Sequence, residues 1–93
     1  MAHVLPIDGT LDLHAFGPRE AARVVEAYLE ACAARGVLDV RVIHGKGIGA
    51  MRRTVEAVLR RHALVESFRL ADEAGGGRGA TLVRLRASRD SKA

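Results

Sequence analysis

Ninety-three residues suffice for one domain with a single core and leave little buried surface to spare. Hydrophobic residues make up 48%, yet the aromatics are only Phe16, Tyr28 and Phe68, so Leu, Val, Ile and Ala must fill that core; the single cysteine, Cys32, excludes an internal disulfide framework and any multi-cysteine zinc site. Fifteen basic residues, thirteen of them arginine, against eleven acidic ones leave a net charge of +4, which favours an anionic partner and makes the position of each charge the deciding feature.

Residues 1–6 read as a leader, 7–86 as one domain and 87–93 as a polar tail. Val4, Leu5, Pro6 and Ile7 are too short and too soon interrupted for a signal peptide or membrane span. The expectation is a soluble, cytoplasmic protein with no membrane partner, monomeric by default.

Ile7 to His14 ends in the alternation of a half-buried strand, with Leu11 and Leu13 on one face and Asp12 and His14 on the other. Gly17-Pro18 marks a helix start, because proline at the first helical position loses no hydrogen bond, and Glu20 in the first turn complements the dipole. Val25, Tyr28, Leu29 and Cys32 recur at helical spacing as a core stripe, and Gly36 supplies the carboxyl-end cap. Leu38 to Ile43 is almost continuously apolar, as suits a strand with neighbours on both sides. A strand, helix, strand succession implies parallel pairing, so both strands end at one sheet edge. Asp12 and His14 should therefore meet His44 and the glycines that follow it, at the edge where open α/β sheets bind ligands.

His44-Gly45-Lys46-Gly47-Ile48-Gly49 reads as a tight loop opening a helix. Gly45, Gly47 and Gly49 tolerate positive φ and free main-chain N–H groups to point outward beside a helix N-terminus, a seat for a phosphate oxygen. It is neither a dinucleotide fingerprint nor a P-loop, since Lys46 lies between glycines and no Ser or Thr follows it, which disfavours a small-molecule nucleotide enzyme. The helix runs from about Gly49 to His62, with Met51, Val55, Val58, Leu59 and His62 as its apolar stripe. His62 serves capping or packing. Arg52 and Arg53 occupy its first turns, where cations oppose the dipole; they are either a solvated face or placed there by function. Leu64–Ala71 and Ala80–Arg86 read as two strands of an antiparallel hairpin, joined by a glycine-rich connection that carries Arg78 and serves as a flexible tip or a basic flap.

Three separated segments, Leu11-Asp12-Leu13-His14, His44-Gly45-Lys46-Gly47-Ile48-Gly49 and Gly77-Arg78-Gly79-Ala80-Thr81-Leu82-Val83-Arg84-Leu85, together resemble the Smr family. This is the small MutS-related domain found at the carboxyl end of some bacterial MutS paralogues and as a stand-alone protein. The likeness covers Ile7 to Leu85 with the motifs in order. One departure is Ala15, where the family's opening motif continues with glycine, which leaves the local turn and access to His14 open. The resemblance implies an α/β two-layer sandwich, β-α-β-α-β-β, with two helices on a four-stranded mixed sheet like the carboxyl domain of translation initiation factor three. It further implies nucleic-acid binding and, in many members, endonuclease activity on DNA or RNA. By residue, it puts catalysis on Asp12 and His14 and phosphate binding on His44, Gly45, Lys46, Gly47 and Gly49.

An acid and two histidines converging on a glycine loop suit phosphodiester cleavage, because imidazole, with an unperturbed pKa of about 6.5, accepts or donates a proton near neutrality. His14 is the expected general base or acid and Asp12 its orienting partner. Lys46, the loop amides, Arg52, Arg53 and Arg78 are expected to hold the phosphate. His44 is either a second proton-transfer group or a residue that fixes the loop. The motifs supply no second acid, so the usual two-metal nuclease arrangement lacks ligands, while a single divalent cation such as Mg²⁺ stays open. The leading expectation is a DNA-nicking endonuclease linked to repair or recombination control, acting on branched or duplex DNA. Its rivals are an RNA endonuclease and a non-catalytic DNA- or RNA-binding module of a larger MutS-like or ribosome-associated protein.

Overall fold

The computed structural model describes residues 6–45, 49–71 and 79–87. Its elements are β1 (Thr10–Asp12), a 3₁₀ turn (Leu13–Ala15), α1 (Pro18–Ala34), β2 (Asp39–Ile43), α2 (Ala50–Arg61), β3 (Val65–Leu70) and β4 (Ala80–Leu85). The four strands form one mixed sheet in the order β1-β2-β4-β3. β1 lies parallel to β2, pairing Thr10 with Arg41, Leu11 with Val42 and Asp12 with Ile43. β4 runs antiparallel to both β2 and β3. The expected β-α-β-α-β-β architecture is thus the one found.

Alternation along the strands decides the layers. Leu11, Val40, Val42, Val83 and Leu85 bury one sheet face against Val25, Leu29 and Cys32 of α1 and Val55, Val58 and Leu59 of α2. Both helices therefore lie on the same face; α1 buries its expected stripe together with Ala21 and Ala33, and α2 buries Val55, Val58 and Leu59 while Met51 and His62 stay partly exposed. Gly17 caps α1, with Pro18 first and the Glu20 carboxylate accepting the Gly17 amide at 3.3 Å. Its other end closes on Gly36, where the Gly36 and Val37 amides donate to Ala33 and Cys32 carbonyls. No helix among the described residues is long and apolar enough to cross a membrane.

The first strand differs from expectation. It ends at Asp12, and Leu13 to Ala15 coil into a 3₁₀ turn, closed by the Phe16 amide on the Leu13 carbonyl at 3.0 Å. The cause is the Asp12 side chain, which accepts the His14 backbone N–H at 2.9 Å and so competes with further strand pairing. Leu11 and Leu13 are still both buried and Asp12 and His14 both exposed.

Candidate nuclease site

Parallel pairing of β1 and β2 brings the end of the first strand beside the loop that leaves the second. Asp12 caps the 3₁₀ turn, and its Oδ1 receives both the His14 amide and, at 2.5 Å, the His14 Nδ1. A carboxylate only accepts, so Nδ1 carries the proton and the neutral ring presents an unprotonated Nε2. That nitrogen faces the loop: a Cβ placed on Gly45 would lie 3.9 Å from it. The His14 side chain is 70% exposed and that of Asp12 57%, so the pair is open to a macromolecular substrate. The His14 amide, followed by its imidazole, holds the Asp12 carboxyl below its ordinary value near 3.8. Ala15 does not distort this turn, since no residue other than glycine among those described has positive φ.

His44 sits differently. It is buried, with Nδ1 3.0 Å from the Gly45 carbonyl and Nε2 2.8 Å from the Thr81 hydroxyl. A carbonyl only accepts, so in the neutral ring Nδ1–H donates to it and Nε2 accepts the Thr81 O–H. Both nitrogens are engaged, the arrangement that fixes a loop to its neighbouring strand. Of the two roles that the sequence left open for His44, this geometry is the one that suits loop fixing.

The expectation for the Gly45 amide needs correcting. Gly45 has φ of +86°, as a turn glycine should, but its N–H donates to the Gly79 carbonyl at 2.9 Å beside the His44 amide at 2.8 Å. The antiparallel pairing of β2 with β4 continues past the strand ends and consumes the amide. Gly49, with φ of +93°, caps α2. The first-turn amides of Ala50, Met51 and Arg52 then have no intrahelical acceptor. Arg53 folds back over this helix start, its Nη2 3.9 Å from where a Cβ on Gly49 would stand, whereas Arg52 pairs at 3.8 Å with Glu56. Lys46, Gly47 and Arg78 lie outside the described residues.

Asp12 Oδ1 is committed to His14, and among the described residues no three His, Cys, Asp or Glu side chains gather as metal ligands.

Two residues that hold the site were not singled out as such by sequence reading. Thr81 is the one buried polar side chain besides His44 among those described, and its hydroxyl within an apolar strand was the available signal. Tyr28 appeared as a core residue, but its hydroxyl accepts the Gly9 amide at 3.1 Å and lies 3.1 Å from the carbonyls of Pro6 and Thr10, pinning the approach to β1.

The family model of the Smr domain matches residues 11–86. Endonuclease MutS2 of Clostridium tetani is 35% identical over 80 residues, and that of Clostridium novyi 36% over 77, covering 86% and 83% of this chain. In both cases the chain spans about 10% of the relative's length. Among solved structures, the Smr domain of Thermus thermophilus MutS2 is 42% identical with a TM-score of 0.78, covering 83% of this chain and 96% of that one. YdaL, a stand-alone small MutS-related protein from Escherichia coli, is 29% identical with a TM-score of 0.79, over 87% of this chain and 66% of that one.

Proposed function

This chain belongs to the Smr domain family, and from that premise we propose that it is a nucleic-acid-binding endonuclease module that nicks DNA with His14 as its proton-transfer group. The observation that carries the reading is the Asp12–His14 pair, which fixes the imidazole by one nitrogen and leaves the other open to solvent beside the Gly45 turn. His14 Nε2 takes the proton of an attacking water as the new P–O bond forms and the opposite P–O bond breaks; the departing sugar oxygen recovers a proton from solvent. On RNA the same nitrogen would serve the ribose 2′-OH. The α2 amide end and Arg53 supply positive potential at the phosphate, together with Lys46, Gly47 and Arg78. His44 is assigned the positioning role, holding the loop through Thr81.

Where turnover survives EDTA the chemistry belongs to the side chains alone, and where it stops, a cation carried with the phosphates completes the site. The link to DNA repair or recombination control holds only if DNA is the substrate.

The test is conversion of supercoiled plasmid to open circle by wild type and by His14→Ala, with folding checked by circular dichroism and an RNA oligonucleotide assayed in parallel. Wild-type nicking that falls by about 10²–10⁴ in the variant, with binding retained, is the expected outcome. Binding without cleavage of either nucleic acid by wild type would leave a binding module.

A further inference from the structure

Of the three aromatic side chains, Tyr28 is 3% exposed within the core, and Phe68 packs on the core with the Arg60 guanidinium 6.0 Å from its ring centroid. Phe16 is the third. It is half-buried, follows His14 by two residues, and lines an open groove of about 340 Å³ with Arg19, Glu20, Arg23 and Val24 of α1.

The charges of this groove are unbalanced. Arg19 and Arg23 stand four residues apart, hence as neighbours on one helix face, and among the described residues neither has an ion pair or hydrogen-bond partner. Glu20 turns one carboxylate oxygen to the Gly17 amide. Four other arginines have acidic partners: Arg52 and Arg60 share Glu56, Arg61 meets Glu26 and Arg84 meets Asp39. Arg19, in the first turn of α1, opposes the helix dipole, so helix stability does not explain it.

Resting on the nuclease reading above, we infer that this groove is a nucleotide subsite flanking the phosphate held at His14: Phe16 stacks one unpaired base, while Arg19 and Arg23 hold the adjoining backbone. Aromatic stacking accepts any base, and guanidinium groups suit phosphate oxygens, so the occupant is a single-stranded stretch next to the cut with little sequence preference. The groove's volume lies within the range of small-ligand sites.

The probes are a fluorescein-labelled eight-nucleotide oligothymidylate and an oligomer of the same length with tetrahydrofuran in place of every nucleoside. Wild type should bind the base-bearing oligomer about tenfold more tightly than the abasic one. Phe16→Leu, which keeps the packing and removes the ring, should erase that discrimination, and Phe16→Tyr should restore it. Arg19→Gln with Arg23→Gln should weaken both oligomers and make log K about 1.4 less steep against log salt. Wild-type affinity, discrimination and salt slope in folded variants would overturn the subsite and leave the nuclease reading intact. Failure of wild type to bind either oligomer would overturn the subsite, with plasmid nicking by the same protein deciding the nuclease reading separately, whereas binding with all of these effects but no cleavage would overturn only the nuclease reading.

Discussion

Asp12 performs two tasks with one oxygen, ending β1 by capping a turn and orienting the ring of His14. Its lowered pKa follows from those bonds and has a definite sign. A carboxyl whose folded value lies below its unfolded value of about 3.9 stabilises the fold above that pH, and the contribution is lost as pH falls through the folded value. Because both side chains are exposed, the effect on global stability is small. It is read instead from the Asp12 carboxyl carbon by NMR, whose titration midpoint should lie below the ordinary value. In His14→Ala the midpoint should rise only part of the way, since the backbone amide, the larger cause, remains. A wild-type midpoint at the ordinary value would mean that the contact is not made in solution. Thr81 acts through His44: in Thr81→Val the buried Nε2 loses its partner, at a cost of about 1–3 kcal/mol, measurable by urea denaturation. An unchanged midpoint would show that His44 does not depend on that hydroxyl.

At the scale of elements, β1 is only three residues long and pairs with one neighbour, so its position depends on what holds its ends. One end is the Asp12-capped turn. The other is Tyr28, reaching from α1 to the Gly9 amide and to the carbonyls on either side of it. Burial pushes the Tyr28 phenol up from its ordinary value, so at neutral pH it is protonated and able to donate while it accepts. Tyr28→Phe keeps the ring in the core but strands the buried Gly9 N–H. The expected loss is about 1–3 kcal/mol, seen as a fall of several degrees in Tm. Nicking should decline with it as β1 loosens, and melting at the wild-type temperature would show that the hydroxyl does not anchor the strand.

Across the molecule, the sheet edge that gathers Asp12, His14, Gly45 and the start of α2 also carries arginines with no acidic partner among the described residues, Arg19, Arg23 and Arg53. Arg61 and Arg84 are matched by Glu26 and Asp39 at 3.3 and 2.8 Å. Arg35 and Arg69 likewise have no ion pair among the described residues, so what marks Arg53 is its place over the start of α2 and not the lack of an acidic partner. Duplex DNA binding should therefore weaken steeply with salt, by about 0.9 in the slope of log K per phosphate neutralised, and Arg53→Gln should flatten that slope by close to one such step. An unchanged slope would remove Arg53 from the interface.

Much of this order is local and therefore legible in the sequence. Apolar spacing marked both helices and the strands, proline and glycine marked the ends of α1, and the strand-helix-strand succession placed Asp12 and His14 beside His44, because parallel neighbours must end together. The LDLH and HGKG segments carried the family likeness for the same reason: short motifs hold their chemistry in consecutive residues. Tertiary structure alone decided what each group is bonded to. Whether Asp12 extends a strand or caps a turn is a competition between two hydrogen bonds of similar strength, and periodicity does not rank them. The assignment of His44 rests on Thr81, 37 residues away in sequence, and the Gly45 amide is consumed by Gly79 only because β4 inserts beside β2. Partners so distant along the chain leave no spacing to read, since they are chosen by the packing of the sheet and not by the residues on either side.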